Sequence, residues 1–278
     1  MRPPRLIAFD LDGTTLDHGI MSRATARALN DARGRGCLLA VATGRSYVGL
    51  NYAVSGIACD YIISSNGARI TAEPAGAVIA QQCLSRASVQ GIFALLSDCR
   101  CAFSAQMQDA VIFERGQIRK YISRGAKLSA PQLLTLLRFQ KSIKRVKSIP
   151  ALLALRADAP EKLTVHPDDG AELPRILERI TAAFPVEAAV FNDEIEMTAR
   201  GVSKGAALSS LAGALGIKKE DILAFGDSGN DLSMAPAAGR FVAVGNATAD
   251  VLRLADEVAP PVEADGVAVY LERLFSAR

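Results

Sequence analysis

The sequence predicts an α/β fold, in which a mainly parallel sheet is interrupted by an inserted α+β domain. Three observations favour this fold class. Apolar strand-like segments alternate with helix-like segments at both ends of the chain, as in β-α-β units. Adjacent pairs of strand-like segments fill the middle, a pattern typical of antiparallel sheets. Polar motifs follow several of the apolar segments directly, at the sheet edge where open α/β sheets bind ligands.

Both ends of the chain show the alternating pattern. In the N-terminal part, a helix that Ser22 caps separates the strand-like segments Leu6–Phe9 and Leu38–Ala42. A third strand, Tyr61–Ser64, precedes an Asn-Gly turn. In the C-terminal part we expect helices at Ser203–Leu215, from about Asp231, and at Thr248–Ala255, with strands at Ile222–Phe225 and Phe241–Val244.

The middle of the chain predicts a separate domain. We expect helices at Ser88–Ser97, Pro131–Gln140 and Glu172–Phe184. We expect three strand pairs, at Cys101–Ala105 with Ala110–Glu114, Leu152–Arg156 with Leu163–His166, and Glu187–Val190 with Glu194–Thr198. The prediction is a core domain of residues 1–84 and 194–278, with an inserted domain of residues 85–193.

The composition indicates a globular protein. Of the 278 residues, 50% are hydrophobic and 22% are charged. The apolar runs are too short to span a bilayer, and the N-terminus lacks a signal-peptide pattern, so we expect no membrane partner and a cytoplasmic location. The 5 cysteines form no Cys-x-x-Cys pair and are expected to be reduced. With 2 histidines in the chain, we expect no His-rich metal site.

The charge is unevenly distributed. Residues 100–150 contain 11 Lys/Arg against 2 Asp/Glu, whereas the rest of the chain has 21 against 27. Such a segment either attracts an anionic substrate or is a solvated surface. Because it has few aromatic residues for base stacking, we expect no nucleic-acid partner.

The most informative motif is Asp10-Leu-Asp12-Gly-Thr, directly after the first apolar segment. Two carboxylates this close repel each other unless a cation or a proton intervenes, and Mg²⁺ is a suitable partner. An ordinary turn has a similar composition. A calcium-binding EF-hand loop is excluded, because Thr14 and Met21 occupy the positions where it needs an oxygen ligand and a glutamate.

Three further polar elements occur at predicted strand ends or helix starts. They are Thr43-Gly44-Arg45, Lys204, and the segment from Gly226 to Asp231, which includes Asp227 and Asn230. Each is modest evidence by itself. Together, and in this order, they predict one site at the edge of the sheet.

The four elements resemble, in order, the four motifs of the haloacid dehalogenase (HAD) superfamily of phosphohydrolases. Segments near the C-terminus, Gly245-Asn246-Ala247 and Asp265-Gly266, are similar to those of the Cof-type subgroup. Thr15 departs from the pattern, in which Leu is common. The 160 residues between Thr43 and Lys204 hold the insert, where the superfamily has a type 2 cap, and the strand-pair pattern resembles subtype 2B.

This resemblance implies a Rossmann-like core and a role for each motif residue. The implied catalytic residues are Asp10 as nucleophile, Asp12 as general acid and base, and Lys204 as the cation beside them. The implied phosphate-binding residues are Thr43, Gly44, Lys204 and Asn230. The implied Mg²⁺ ligands are Asp10, Asp227 and the backbone carbonyl of Asp12, with Asp231 and Arg45 as supporting residues.

Several alternatives stay open at this stage. Thr43 is also suited to cap a helix, Asn230 either binds phosphate or caps the following helix, and Arg45 either forms a salt bridge within the loop or contacts the substrate. Lys204 is unfavourably placed for the helix dipole, which favours a functional role over a solvated surface lysine.

The predicted function is that of a Mg²⁺-dependent phosphatase. Its substrates would be phosphomonoesters of small metabolites, and it would act through an aspartyl-phosphate intermediate. A phosphosugar mutase on the same scaffold is the main alternative. A non-catalytic protein of this fold is disfavoured because both motif aspartates are present, and a HAD dehalogenase is disfavoured because it lacks the second one. A P-type ATPase would need membrane helices.

Overall fold

The structure is a computed structural model, and it describes residues 3–50, 54, 56–115, 143–191 and 193–276. Sixteen strands lie in these ranges. In chain order, β1 to β16 are Leu6–Phe9, Leu16–Asp17, Ile20–Met21, Leu38–Ala42, Tyr61–Ser64, Arg69–Ala72, Ala77–Gln81, Cys101–Gln106, Val111–Glu114, Ile143–Val146, Lys162–Pro167, Val186–Phe191, Glu194–Ala199, Ile222–Gly226, Arg240–Val244 and Glu257–Ala259.

Seven α-helices lie in the same ranges. In chain order, α1 to α7 are Arg23–Gly34, Arg86–Leu95, Ile149–Leu155, Leu173–Ala183, Lys204–Ala214, Ala249–Leu254 and Gly266–Ser276. Short 3₁₀ helices span Tyr47–Gly49, Ser65–Gly67, Gly170–Glu172, Lys219–Asp221, Gly229–Ala237 and Val262–Ala264. Of the helices described, none has the length and hydrophobicity that crossing a membrane requires.

An eight-stranded sheet organises the first unit of the chain, which comprises the described parts of residues 1–45, 50–80 and 203–278. Its strand order is β16-β15-β14-β1-β4-β5-β6-β7, and every pair from β16 to β5 is parallel. Because β1, β4 and β14 run in the same direction, their carboxyl ends meet at one edge of the sheet. The residues that follow these three strands are the predicted motifs.

The central strands are buried because helices cover both faces of the sheet. All four residues of β1 are buried, as expected for an apolar strand of a parallel sheet. On one face, Leu6 packs in a cluster with Leu208 and Leu211 of α5. On the other face, Phe225 of β14 stacks edge to face on Tyr270 of α7, with ring centroids 5.4 Å apart.

Helix α5 packs very closely on the 3₁₀ helix Gly229–Ala237. A Cβ atom on Gly205 would lie 1.7 Å from the carbonyl oxygen of Ser233, so this contact requires glycine.

We expect Gly205→Ala to lower the free energy of unfolding by about 3 kcal/mol, because the backbones must separate. Chemical denaturation measures the change. The matched control is Gly213→Ala on the same helix, where a Cβ meets no neighbour within 4 Å. That variant should gain about 0.5 kcal/mol in helix propensity, and equal effects of the two variants would contradict the packing argument.

The second unit comprises residues 46–49 and the described part of 81–202. Its six strands have the order β10-β9-β8-β11-β13-β12, and all pairs are antiparallel except β10 with β9. One face of the sheet packs against α2, α3 and α4 in an apolar cluster that includes Ile92, Leu163, Ile180 and Ile195. This is the α+β arrangement that the strand pairs predict.

Two predictions for the middle of the chain are wrong. Residues 152–156 do not form a strand, because Ser148 caps a helix, α3, whose first turn contains Pro150 and which buries Ile149 and Leu153 one turn apart. The predicted boundary at residue 194 is nine residues too early, because β13 pairs with β11 and β12 and the first unit resumes at Ser203. The helix predicted at Pro131–Gln140 lies outside the described residues, as does much of the basic segment.

The first unit also contains elements that the sequence reading missed, namely β6, β7, β16 and α7. The helix predicted from about Asp231 is the 3₁₀ helix Gly229–Ala237. Ser228 and Asp231 form a capping box at its start, and Pro236 lies inside it. A proline removes a backbone donor, which disfavours a regular α-helix here.

Candidate active site

The predicted site residues of the core converge at the carboxyl edge of the eight-stranded sheet. Asp10 follows β1 and donates its N–H to the carbonyl of Phe225 at 3.1 Å. Thr43 follows β4 and donates its N–H to the carbonyl of Ile63 at 2.8 Å. These ladder bonds continue the sheet by one residue on each strand, and they fix the backbone from which the functional side chains project.

Lys204 is a fully buried cation between two carboxylates. Its Nζ donates to Asp10 Oδ1 at 2.8 Å and to Asp231 Oδ1 at 2.7 Å. The lysine is the first residue of α5, and Ser203 caps that helix by accepting a hydrogen bond from the N–H of Ala206. The surface alternative for Lys204 is therefore excluded by its position.

Asp231 acts as a fixed anchor for the loop after β14. Its Oδ2 accepts the N–H groups of Asp227 and Ser228, each at 3.0 Å, while its other oxygen binds Lys204. Both oxygens are thus engaged, and the side chain is completely buried. This geometry suits the supporting role that the motif implies.

Asp227 is held by the motif at the end of β1 and by the loop after β15. Its Oδ1 accepts the Thr14 hydroxyl at 2.6 Å, and its carbonyl accepts the N–H of Thr248 at 2.9 Å. Gly13 has a φ of +81° and lies so close that a Cβ would be 2.6 Å from Asp227 Oδ2. The glycine therefore leaves open the space beside that oxygen.

Burial and charge crowding shift the pKa values of these groups. Burial raises the pKa of Asp10 to about 8, against the opposing effect of Lys204. Burial likewise raises the pKa of Asp227 to about 6, although the Thr14 hydrogen bond opposes the shift. For Lys204, burial favours a lower pKa, but the Asp10 and Asp231 carboxylates outweigh it and raise the value. The site therefore contains more carboxylates than cationic side chains in a poorly solvated environment. A bound cation would stabilise the ionised carboxylates.

The donor set fits a hard divalent cation. One carboxylate oxygen from each of Asp10, Asp227 and Asp231 lies within 4.8 Å of the others. Within the part of the chain that the structure describes, the second oxygens of Asp10 and Asp227 make no hydrogen bond or ion pair. Carboxylate oxygens of this kind are the ligands that Mg²⁺ prefers.

Asp12 and Arg45 form a bidentate pair at the rim of the site. The Arg45 Nε donates to Asp12 Oδ2 at 2.6 Å, and a second guanidinium nitrogen donates to Asp12 Oδ1. The Asp12 side chain is about half exposed, at 51%. The structure therefore favours a salt bridge within the site, one of the two roles left open for Arg45.

The predicted phosphate-binding residues lie near a turn that follows β5. The carbonyl of Thr43 accepts the N–H of Asn66 at 3.0 Å, and Asn230 Nδ2 donates to Asn66 Oδ1 at 3.1 Å. A Cβ on Gly44 would lie 2.8 Å from Asn66 Oδ1. Since Ser228 and Asp231 cap the following 3₁₀ helix, Asn230 is not its capping residue.

Sequence reasoning missed four residues that shape the site. Thr14 binds Asp227, Asn66 binds Asn230, and the Thr15 hydroxyl donates to the Asp10 carbonyl at 2.8 Å. Asn246 joins two loops, as described below. Each lay inside a motif or turn that was noticed, but the sequence does not reveal which distant group a short polar side chain will contact.

Comparison with known proteins decides the family. The model of the haloacid dehalogenase-like hydrolase family matches residues 7–271. The chain belongs to this family. The match covers both units, and it confirms the superfamily and the fold class that the four motifs predict.

A phosphatase and a solved hydrolase structure each match nearly the whole length of the chain. A pyridoxal phosphate phosphatase, YbhA of Escherichia coli, is 27% identical, and the match covers 96% of this chain and 97% of that protein. A haloacid dehalogenase-like hydrolase from Bacillus subtilis has a similar structure, with a TM-score of 0.84, 28% identity and coverage of 97% and 99%. These similarities confirm the predicted enzyme class, a phosphoric monoester hydrolase.

A further solved structure has the same fold. The HAD subclass IIB sugar phosphatase BT4131 has a similar fold, with a TM-score of 0.79, 23% identity and coverage of 98% of this chain and 99% of that one. This HAD hydrolase therefore shares its fold with that protein over nearly its whole length.

Proposed function

We propose that this HAD hydrolase releases phosphate from small phosphorylated metabolites in a Mg²⁺-dependent reaction, with Asp10 as the nucleophile. The observation that carries the proposal is how the two oxygens of the Asp10 carboxylate are bonded. Lys204 holds one of its oxygens at 2.8 Å, and the other oxygen is left open within the described residues. A carboxylate fixed in this way is oriented for attack at the cost of little further ordering.

In the first step, the open Asp10 oxygen attacks the phosphorus of the ester and the bond to the leaving oxygen breaks. The product is an aspartyl phosphate, and the leaving alkoxide takes a proton from Asp12. The Lys204 ammonium stabilises negative charge beside the phosphoryl oxygens. Thr43, Gly44 and Asn230 supply hydrogen-bond donors to the same group.

In the second step, Asp12 takes a proton from water, and that water attacks the phosphorus and frees Asp10. Asp12 must turn away from Arg45 to reach the leaving oxygen and the water, because both of its carboxylate oxygens accept hydrogen bonds from the guanidinium. Its exposure at the rim allows this movement.

Asp10, Asp227 and the backbone carbonyl of Asp12 would hold the Mg²⁺ ion. When bound, the ion neutralises charge on the phosphoryl group and on the two carboxylates. Thr14 and Gly13 both contribute to this site. The Thr14 hydroxyl donates to one Asp227 oxygen, and Gly13 leaves room for a ligand beside the other.

The substrate class follows from the chemistry of the relatives. YbhA is a pyridoxal phosphate phosphatase and BT4131 is a sugar phosphatase, so a small phosphomonoester is the proposed substrate. The second unit would act as a cap that selects the leaving group and excludes water during the first step. All five cysteines lie within the described residues and none is in a disulfide, which suits the proposed cytoplasmic location.

Metal removal tests this proposal. We expect EDTA to reduce phosphate release from a panel of phosphorylated sugars and pyridoxal phosphate at least about 100-fold, because the ion supplies several kcal/mol of charge stabilisation. Phosphate release is measured before and after chelation, and added Mg²⁺ should restore it. EDTA should also lower the melting temperature, since the ion binds only the folded protein. Full activity in EDTA would overturn the metal requirement, and transfer of phosphate to a sugar without release would favour a mutase.

A further inference from the structure

The loop after β15 forms hydrogen bonds to both backbone segments that carry proposed metal ligands. Asn246 Nδ2 donates to the carbonyl of Gly13 at 2.8 Å. Two residues later, the N–H of Thr248 donates to the carbonyl of Asp227 at 2.9 Å. One short loop therefore ties the turn after Asp12 to the residue that follows β14.

Asn246 is itself held in place. Its Oδ1 accepts the N–H of Val262 at 2.8 Å, so the side-chain amide bridges the Gly13 turn and the turn before α7. That second turn is constrained by a residue with positive φ, Asp265 at +54°, and by a bond from the Gly266 N–H to the Pro261 carbonyl. The amide thus has a fixed orientation, with its donor aimed at the Gly13 carbonyl.

The Gly13 turn has little freedom to move without disturbing the site. On one side of Gly13 is Asp12, whose carbonyl is a proposed ligand, and on the other is Thr14, which holds Asp227 at 2.6 Å. A rotation of this turn would change the distance between the Asp12 carbonyl and the Asp227 carboxylate. Groups that orient metal ligands in this way commonly change metal affinity 10- to 100-fold when removed, as a rough general range.

From these contacts we infer that Asn246 is a positioning residue for the divalent cation, acting through the Gly13 turn. This inference rests on the proposed function, because it assumes that Asp12 and Asp227 share a cation. Asn246 touches neither the substrate nor the reacting atoms. Its effect is on the concentration of Mg²⁺ that the enzyme needs.

Asn246→Ala tests the inference directly. We expect the Mg²⁺ dissociation constant, measured by calorimetry, to rise about 10-fold. The Mg²⁺ concentration for half-maximal phosphate release should rise by the same factor, while kcat at saturating Mg²⁺ recovers to within about twofold, because the reacting groups are intact. The control is Asn30→Ala, which removes an equivalent side-chain bridge, from the Gly56 carbonyl to the Ala58 N–H, among residues outside the proposed site, and should leave both quantities unchanged.

Asn246→Asp provides a second variant in case the alanine variant folds poorly. An aspartate still accepts the Val262 N–H but lacks the donor to Gly13. Its negative charge would by itself favour a cation, so weaker Mg²⁺ binding in this variant must come from the lost donor. At high salt, which screens this added charge, Mg²⁺ binding as tight as that of the wild type would overturn the inference.

The outcomes separate this inference from the proposed function. A wild-type protein that binds Mg²⁺ but releases no phosphate overturns the hydrolase proposal, whereas the Asn246 effect on Mg²⁺ binding would still stand. A wild-type protein that turns over, with Asn246→Ala binding Mg²⁺ within twofold of it, overturns the positioning role. A wild-type protein that binds no Mg²⁺ overturns both.

Discussion

Asp10→Asn is expected to reduce phosphate release by about 10⁴-fold or more, because an amide cannot form the aspartyl phosphate. The fold should survive this change. The amide oxygen still accepts a hydrogen bond from Lys204, and Lys204 keeps its contact of 2.7 Å with Asp231. Replacing a buried carboxylate by a neutral group also removes a desolvation cost.

Two measurements check this prediction. Phosphate release is compared with that of Asp17→Asn, a matched change at a carboxylate with 44% of its side chain exposed, seven residues away. Acid-quenched wild-type enzyme should carry a phosphate on the peptide that contains Asp10, and the variant should not. A variant that retains more than about 1% of the activity, or a phosphate on another residue, would overturn the role of Asp10.

The edge of the sheet where the site lies could be predicted from the sequence because a simple rule applies to it. Parallel strands place their carboxyl ends together, so polar residues directly after β1, β4 and β14 must meet. Asp10, Thr43 and Asp227 needed only correct strand ends, and these ends are apolar runs that stop abruptly. The rule does not depend on the details of side-chain packing.

The side-chain partners in the site could not be predicted in the same way. Lys204 is 194 residues from Asp10 along the chain, and its pairing with Asp10 was implied by the family resemblance and not by its local sequence. Thr14 was noted as part of a motif, yet its hydroxyl bonds Asp227, 213 residues away. Contacts of this kind depend on the conformations of the loops, which the local sequence pattern does not determine.

The failed strand at residues 152–156 has a different cause. A short run of leucine and alanine fits either a strand or a helix by hydrophobicity alone. The deciding signals are Ser148, which accepts the Ala151 N–H at 3.3 Å, and Pro150 in the first turn. Both are helix-start signals, and together they outweigh the strand-like apolar run.

Lys204→Met is expected to have the largest effect on stability. The lysine side chain is completely buried, and its loss would leave the Asp10 and Asp231 carboxylates in a poorly solvated interior without their cation. Breaking a buried ion pair by removing one partner costs about 3–5 kcal/mol. Phosphate release should fall as well, because the ammonium no longer orients Asp10 or stabilises the phosphoryl charge.

The free energy of unfolding, measured by urea denaturation without added metal, checks this expectation. Lys218→Met, a change of the same chemistry at an exposed residue before β14, should alter it by less than about 0.5 kcal/mol. Lys204→Met combined with Asp231→Asn should recover part of the loss, since one of the two carboxylates is then neutral while the amide oxygen still accepts the N–H groups of the loop. A single variant as stable as the wild type, or a double variant whose loss equals the sum of the two single losses, would mean that the three charges do not act as one buried cluster.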